Sequence, residues 1–203
     1  MDLRETYNLI AEEWHQEYGY ADWPKKGRAQ FVTYLNPGDI VLDVGCGGGT
    51  TTKFLLENGM RVTGVDLSEK MIEIAKREAP QAEFHICDLR DIQKIEGVFD
   101  GILAQAVLLH IPKKEISESL EKLVSKLKNG GYLCVFVKER KPNGPEEEIE
   151  ERTSYGKTFH RFFSYFTAEE LRKLLVDAGL ETVFEDIIPV GHTRWIQIIA
   201  KKP

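Results

Sequence analysis

Residues 40–50 read Ile-Val-Leu-Asp-Val-Gly-Cys-Gly-Gly-Gly-Thr, an apolar run that passes at once into glycines. The run Ile40–Val44 is typical of a strand buried on both faces. A helical stretch over residues 50–58 follows, and Gly59 is suited to close it as a left-handed cap. A strand, a glycine loop and a helix in this order predict one unit of an α/β fold with a parallel sheet.

The remaining chain repeats this alternation. Helical periodicity is visible at residues 3–18, at 25–35 after Pro24, and after the capping box that begins at Thr167. Asn129-Gly130-Gly131 predicts a turn before the most strand-like run. The predicted strands are residues 40–44, 61–65, 82–87, 99–106, 132–137, 180–188 and 195–200. Because a short connection joins the last two, we predict a doubly wound, mostly parallel seven-stranded sheet with an antiparallel carboxyl-terminal hairpin.

Bulk composition sets limits on function. The 203 residues suit one domain, 1–203, and the net charge of -6 disfavours a protein whose main partner is nucleic acid. No run reaches the ~18 apolar residues of a membrane span, and the amino terminus lacks the apolar core of a secretion signal. We therefore expect no membrane association and a cytoplasmic address. Three scattered cysteines, Cys46, Cys87 and Cys134, indicate neither disulfides nor a metal site, and we expect them to be small apolar fillers at or near strand ends.

The glycine loop favours one kind of ligand over two others. The dinucleotide fingerprint needs a glycine at its sixth position, and counting from Gly45 that position is Thr50. The phosphate-binding loop ending in Gly-Lys-Ser/Thr is absent, since Gly49 is followed by three threonines. Tight glycines without phosphate-binding features suit a nucleoside that carries no phosphate, and so favour S-adenosyl-L-methionine.

Residues 41–50 resemble the first motif of class I S-adenosylmethionine-dependent methyltransferases, an acid followed by alternating glycines. Residues 99–110 and 128–133 resemble the fourth-strand motif and the turn before the fifth strand, with Asn129 in place of the usual proline. The resemblance implies the Rossmann-like fold of that family. It also implies an amino-terminal helical lid over residues 1–36 and a substrate-side insertion over 138–166, an irregular stretch that contains the acidic run 145–151 and Arg152, Tyr155, His160, Arg161 and Tyr165.

The same resemblance assigns roles to the acids after the first three strands. Asp43 would organise the loop and the amino group of the cofactor, Asp66 would accept both ribose hydroxyls, and Asp88 would accept from the adenine amino group. Gln105 would contact the methionine end through its backbone. The full set implied to bind the cofactor is Tyr7, Asp43, Gly45, Cys46, Gly47, Gly49, Asp66, Leu67, Met71, Asp88, Leu89 and Gln105.

Structural alternatives remain open for several of these residues. Asp43 is also suited to capping a helix, and Asp66 to a solvated turn. His110, in Leu-Leu-His-Ile-Pro, is either a general base beside the substrate or a structural histidine that holds the turn before Pro112. Tyr7 and Trp14 either cover the cofactor or simply pack in the core.

The predicted function is methyl transfer by in-line displacement to a small-molecule acceptor, without a metal and by a monomer or homodimer. The Asn/Asp-Pro-Pro-aromatic motif of amino-group methyltransferases is replaced by Gln105-Ala106-Val107-Leu108, which disfavours DNA bases as substrates. Two alternatives are a protein or RNA methyltransferase that uses the 138–166 insertion, and a non-catalytic cofactor-binding adaptor.

Overall fold

Strands β1 (Ile40–Val44) and β4 (Phe99–Gln105) lie side by side and parallel near the middle of a seven-stranded sheet. The structure is a computed structural model in which residues 2–20 and 25–203 are described. The sheet order is β3-β2-β1-β4-β5-β9-β8. The first five strands in this order are parallel, and β9 runs antiparallel to both β5 and β8. The predicted doubly wound sheet with an antiparallel carboxyl-terminal hairpin is confirmed.

The bounds of the elements follow the predicted alternation. The other strands of the sheet are β2 (Arg61–Asp66), β3 (Glu83–Ile86), β5 (Leu127–Lys138), β8 (Glu181–Val190) and β9 (Thr193–Lys201). The helices are α1 (Leu3–Tyr18), α2 (Lys25–Val32), α3 (Thr50–Glu57), α4 (Glu69–Glu78), α5 (Lys113–Ser125) and α6 (Ala168–Asp177). Short 3-10 helices span Leu89–Lys94 and Leu108–His110. A separate antiparallel pair is formed by β6 (Glu147–Ser154) and β7 (Lys157–Ser164).

The chain order reverses between β1 and β4. From β1 the chain builds outward through β2 to β3, then returns to place β4 on the other side of β1. Because the loops after β1 and β4 then turn to opposite faces, a crevice opens beyond the carboxyl ends of these strands, where open α/β sheets bind ligands. The glycine loop after β1 lies at this crevice.

Apolar side chains fill both faces of the sheet. One cluster includes Leu42, Ile102 and Leu120, and the other includes Phe31, Leu103 and Phe136, all of them 0% exposed. Alternate residues of β4 thus enter opposite clusters, as period-2 side-chain directions require. Each fully buried side chain of this size contributes roughly 1.5–3 kcal/mol relative to exposure.

Two predicted boundaries differ from the structure by three residues or more. Helix α2 ends at Val32 rather than residue 35, because backbone hydrogen bonds to residues three positions earlier take over at Thr33, Tyr34 and Leu35. Pro24, predicted to precede this helix, lies outside the described residues. The predicted turn at 129–131 belongs to β5, because Gly130 N–H donates to the Lys202 carbonyl and Lys202 N–H to that of Gly131.

The stretch 138–166, predicted to be irregular, contains the β6–β7 hairpin. Its strands pair in register from Glu147 with Ser164 to Ser154 with Lys157. The two connecting residues, Tyr155 and Gly156, have φ of 59° and 67°. Positive φ at both positions is the two-residue hairpin turn whose twist matches the flanking strands. The acidic residues of β6 are mainly solvent-exposed.

Two further findings bear on the sequence predictions. Cys46 and Cys134 are buried, but Cys134 lies within β5 rather than near its end. None of the helices in the described ranges 2–20 and 25–203 has both the length and the apolar character needed to cross a bilayer.

Candidate functional site

A cavity of about 1160 Å³ opens beyond the carboxyl ends of β1, β2 and β4. Every residue predicted to hold the cofactor lines it except Gly49, and His110 lines it as well. Ligand pockets of single drug-sized molecules measure roughly 300–1,000 Å³. The cavity therefore has room for a nucleoside-sized ligand together with a second small molecule.

The glycine loop presents bare backbone to this cavity at Gly47. A Cβ added at Gly47, where φ is +52°, would meet no atom within 4 Å, so the position faces open space. Gly49 serves a different purpose, because a Cβ there would lie 2.8 Å from the Cα of Ala75 in α4. The structure places Gly49 at the start of α3, outside the cavity lining, where it permits close packing on α4.

Asp43, the last but one residue of β1, is 1% exposed. Its Oδ2 accepts a 2.6 Å hydrogen bond from Thr52 Oγ1 in the first turn of α3. Burial raises the pKa of Asp43 to about 6, against the opposing effects of the Thr52 hydrogen bond and the nearby Arg28 guanidinium. Asp43 therefore ties the strand to the helix that follows the loop, which agrees with a loop-organising role.

Asp66, at the end of β2, is held by backbone amides. Gly47 N–H donates to Oδ2 at 3.0 Å, and Ser68 N–H donates to Oδ1 at 2.9 Å. Burial raises the pKa of Asp66 to about 6, although these amides act in the opposite direction. The carboxylate is thus fixed in orientation beside the glycine loop, with its further lone pairs available to a ligand.

Asp88 is occupied by a neighbouring cation. Its Oδ1 accepts from Arg90 N and Nε at 2.8 and 3.0 Å, and its Oδ2 accepts from Nη2 at 2.6 Å. Burial alone would raise the pKa of Asp88, but the Arg90 hydrogen bonds outweigh it and lower the pKa below its usual value. Asp88 lines the cavity, yet a ligand amino group would compete with Arg90 for it.

The end of β4 is strained and carries an unpaired polar atom. Ala106 has φ of 56°, a conformation that residues with a Cβ rarely adopt. Within the described ranges, the buried Oε1 of Gln105 has no hydrogen-bond partner. Such strain and unsatisfied polarity are concentrated at ligand sites, and both residues line the cavity.

Tyr7 and His110 form a hydrogen-bonded pair at the cavity wall. His110 Nδ1 lies 2.7 Å from the carbonyl oxygen of Phe162, which only accepts, so Nδ1 carries the hydrogen. Nε2 is then an acceptor and receives the Tyr7 hydroxyl at 3.0 Å. Burial lowers the pKa of His110 to about 3, with the Phe162 carbonyl opposing and Arg161 and Lys138 adding to the effect. The ring is therefore neutral at physiological pH, and its basic nitrogen is already engaged.

Helix α1 connects the two sides of the cavity. Asn8 Nδ2 donates to Glu69 at 2.7 Å, and Asn8 Oδ1 accepts from Ser68 Oγ at 2.7 Å, next to Asp66. On the other side, Thr6 Oγ1 donates to the His160 carbonyl at 3.1 Å. Lys157 Nζ, from β7, reaches the Leu9 carbonyl of α1 at 2.8 Å. The helix thus lies between the β2–α4 junction and the hairpin.

Sequence reasoning missed some cationic side chains of the cavity. Arg28 is 5% exposed and donates from Nη1 to Thr51 Oγ1 at 2.9 Å. Lys138, at the end of β5, also lines the cavity and was not singled out. Arg161 was noted within the insertion but given no site role. The available signal was the alternation Phe159, Arg161, Phe163, in which the arginine takes a buried position. No cluster of three or more potential metal ligands occurs in the described part of the chain.

Residues 41–131 match the family model described as a methyltransferase domain. Ubiquinone biosynthesis O-methyltransferase of Coxiella burnetii is 31% identical over 144 residues, which are 63% of this chain and 57% of that protein. Over that match the chain thus spans less than two thirds of the length of its relative. The protein of the same name from Xanthomonas axonopodis is 26% identical and is matched over 94% of this chain and 84% of its own length.

A solved structure extends the likeness to nearly the whole fold. The 1,6-didemethyltoxoflavin-N1-methyltransferase of Burkholderia thailandensis, crystallised with S-adenosylhomocysteine, superposes with a TM-score of 0.77 at 24% identity. The match covers 98% of this chain and 87% of that one. The architecture is the Rossmann-like methyltransferase fold. Residues 41–131 thus resemble a methyltransferase domain, and the fold that surrounds them is one that such enzymes share.

Proposed function

We propose that the protein transfers a methyl group from S-adenosyl-L-methionine to a small-molecule acceptor by in-line displacement. The observation that carries the proposal is the rim formed by Asp66 and Gly47 at a cavity of about 1160 Å³. A carboxylate fixed by two amides suits the two hydroxyls of a ribose, and the bare backbone beside it suits close approach of the ligand.

The residues present fit this cofactor. Asp66 would bind the ribose, with Leu67 and Met71 beside it. Asp43, Gly45, Cys46 and Gly47 would follow the methionine portion, and the buried, unpaired Gln105 Oε1 supplies a further acceptor for a ligand hydrogen. Leu89 and Asp88 would contact the adenine, which requires Arg90 to share Asp88. Tyr7 would cover the cofactor from α1, and the span 1–36 would act as the lid of a single domain, 1–203.

Bound S-adenosylmethionine supplies a methyl group on a sulfonium, which is an intrinsically good leaving group. The main task of the protein is then to align the acceptor, and such positioning can contribute roughly 7–11 kcal/mol. Because the Tyr7 hydroxyl donates to His110 Nε2, its oxygen can accept a hydrogen bond from an acceptor hydroxyl or amine in addition to the one from Arg161. We therefore propose that His110 positions Tyr7, in place of the free general base predicted from sequence.

Calorimetric titration with S-adenosylhomocysteine tests the cofactor site. Asp66→Asn should weaken binding by about tenfold or more, because hydrogen bonds to a charged group contribute about 1.5–3 kcal/mol. Asp177→Asn, which alters an exposed acid of α6, is the matched control and should bind normally. Equal affinity of both variants would remove Asp66 from the ribose site.

Methyl transfer itself is tested by incubating the protein with labelled cofactor and a panel of hydroxylated and amino small molecules. Label in a small molecule supports the proposal. Label only in added RNA or protein would identify the corresponding alternative enzyme, with 138–166 as its recognition segment. Tight cofactor binding without any transfer would favour the non-catalytic adaptor. The oligomeric state and the cytoplasmic address stay predictions.

A further inference from the structure

Arg161 of β7 is a buried cation in the cavity wall. Its side chain is 6% exposed and lines the cavity. The guanidinium lies 4.8 Å from the ring centre of Trp14 and 5.1 Å from that of Phe163. It also lies close enough to lower the pKa of the Tyr7 hydroxyl, against the dominant effect of burial, which raises it. Arg161 therefore lies next to the hydroxyl that we place beside the acceptor.

The hydrogen-bonding capacity of this guanidinium is incompletely used. Within residues 2–20 and 25–203, Arg161 Nε has no hydrogen-bond partner. The nearest carboxylate paired with it is Glu150, with Oε2 at 3.8 Å from Nη2, beyond direct hydrogen-bond distance. A guanidinium offers five donors in a planar fork, and leaving buried donors unpaired is costly. The aromatic rings compensate for part of the charge but accept no strong hydrogen bond.

A second cation shares the same carboxylate. Lys138 Nζ lies 3.8 Å from Glu150 Oε1 and 3.7 Å from the ring centre of Phe163. Glu150 also accepts from the Tyr165 hydroxyl at 3.1 Å. Two largely buried cations, Arg161 and Lys138, thus share Glu150, and the exposed Glu148 also acts on Lys138. Of these four groups only the two cations line the cavity, so this wall presents positive charge to it.

The charges of the cavity are divided between its two sides. The acids Asp43, Asp66 and Asp88 lie at or just beyond the carboxyl ends of the first three strands, on the side assigned to the cofactor. Arg161 and Lys138 come from β7 and the end of β5, on the side of the hairpin. The two sides therefore suit ligands of different charge. Arginine is the side chain best suited to bind carboxylate or phosphate oxygens through two parallel hydrogen bonds.

We infer that the acceptor carries an anionic oxygen group, a carboxylate or a phosphate, and that Arg161 binds this group with the assistance of Lys138. The inference rests on the proposed function and specifies the substrate class of the same site. The Tyr7 hydroxyl is hydrogen-bonded to His110 and also to Arg161, so an acceptor held by its anionic end at Arg161 would present its remaining part close to that hydroxyl. A neutral acceptor would leave Arg161 Nε without a partner among the described residues.

Binding of small probe anions to the complex with S-adenosylhomocysteine tests the inference without requiring turnover. Benzoate and inorganic phosphate are titrated while the Arg161 Nε–H signal is followed by nitrogen-15 NMR, with benzamide as the neutral counterpart of benzoate. We expect at least one anion to shift this signal saturably and benzamide to leave it unchanged. A shift with benzoate alone would indicate that the acceptor carries a carboxylate. A shift with phosphate alone would indicate that the acceptor is phosphorylated.

Variants identify the residues responsible. Arg161→Gln should weaken binding of the responding anion by about tenfold, as expected for loss of a charge-assisted bidentate contact. Lys138→Met keeps an unbranched apolar side chain beside Phe163 but removes the ammonium. The variant should weaken binding of the responding anion by about threefold, through loss of one charge. Arg172→Gln, in an ion pair with Glu185 outside the cavity, is the control and should bind like wild type.

Several outcomes would overturn the inference. One contradicting outcome is that benzamide binds as tightly as benzoate; another is that neither anion produces a response. A third is that anion binding is undiminished in both Arg161→Gln and Lys138→Met. Each would leave Arg161 with a purely structural role, packed against Trp14. Failure of S-adenosylhomocysteine itself to bind is a different result, which would contradict the proposed function. If Arg161→Gln does not fold, anion binding by Lys138→Met and the response of the wild-type Arg161 Nε–H signal still test whether this wall binds an anion.

Discussion

Asp66 combines two properties at the residue scale: backbone amides fix its orientation, and burial raises its pKa to about 6. A ribose hydroxyl donates more strongly to a carboxylate than to a neutral carboxyl group. The ionised form is therefore the form that binds, and it is present above the raised pKa and lost as the pH falls below it.

From this we predict that affinity for S-adenosylhomocysteine falls by about tenfold per pH unit once the pH drops below about 6. Calorimetry from about pH 5 to about pH 8 measures the effect. Asp66→Asn has no group to titrate at this position and should show a flatter profile. A wild-type affinity that does not change across this range would separate Asp66 from cofactor binding.

Tyr7 and His110 share one buried hydrogen bond, and we expect their replacements to be non-additive. His110→Ala should leave cofactor affinity nearly intact and slow turnover, since Tyr7 loses its orientation. In a double-mutant cycle with Tyr7→Phe, the coupling in the free energy of unfolding should be about 0.5–1.5 kcal/mol. Denaturant unfolding of the four proteins measures it.

The pH profile of turnover adds a readout that distinguishes positioning from base catalysis. Because the pKa of His110 is about 3, the group does not titrate near neutrality, and the profile between about pH 5 and about pH 8 should keep its shape in His110→Ala. Loss of an inflection near neutral pH in the variant would instead identify His110 as a base.

Much of the site was predictable residue by residue, because the carboxyl ends of parallel strands meet at one edge. Asp43 and Asp66 lie at the carboxyl ends of β1 and β2, Asp88 follows β3, and the structure brings all three to one cavity. The partner of Asp88 was not predictable, since nothing in Cys-Asp-Leu-Arg indicates that Arg90 turns back on it. The packing of Gly49 on α4 was not predictable, because a glycine needed for helix packing looks the same in sequence as one that faces a ligand.

At the scale of elements, the β6–β7 hairpin shows where hydrophobic patterning fails. Strand prediction relies on apolar residues at every second position. In β7 the inward series Phe159, Arg161, Phe163 is interrupted by a cation, and in β6 Glu150 and Arg152 are less exposed than the residues beside them. The inner face of the hairpin serves both the apolar core, through Phe163, and the cavity wall, through Arg152 and Arg161, so polar residues stand at inward positions. The two-residue turn Tyr155-Gly156 was too short a signal to predict a hairpin when its flanking strands lack apolar alternation.

The contact of α1 with the hairpin leads to a prediction at the same scale. Lys157 Nζ donates to the Leu9 carbonyl at 2.8 Å and pairs with Glu13 at 2.7 Å. Lys157→Met should release this part of α1, giving faster amide exchange there and dissociation of S-adenosylhomocysteine about two- to fivefold faster, as expected for a partly exposed ion pair.

Lys173→Met is the matched control for that experiment. Lys173 makes an ion pair with Asp177 within α6, at 2.6 Å, away from α1. Its replacement should alter neither amide exchange in α1 nor cofactor dissociation. Unchanged exchange in Lys157→Met would show that the helix is held in place by its other contacts.

For the whole molecule, the sheet was predictable because its strands are apolar on both faces and alternate with amphipathic helices.

The buried carboxylate of Asp43 lowers the free energy of unfolding of the cofactor-free protein at neutral pH. The folded-state pKa of Asp43, about 6, lies above its ordinary value of 3.8. A raised carboxyl pKa favours folding at low pH, and this contribution is lost as the pH rises through about 6.

We therefore predict that Asp43→Asn stabilises the cofactor-free protein by about 1–3 kcal/mol at about pH 7, while the amide oxygen still accepts from Thr52. The difference from wild type should shrink as the pH falls toward about 4. Denaturant unfolding at both pH values measures it, and calorimetry should show weaker cofactor binding in the same variant. A variant less stable than wild type at neutral pH would mean that the Arg28 attraction outweighs the desolvation of Asp43.

Helix α1 is bonded to Ser68, next to Asp66, and to Lys157 of β7, the strand that carries Arg161. If α1 covers the cofactor and the acceptor as proposed, it has to move away before either ligand can leave. Departure of the demethylated cofactor and of the product would then share a single gate, and the pace of each catalytic cycle would be set by how often that gate opens rather than by the chemistry beneath it.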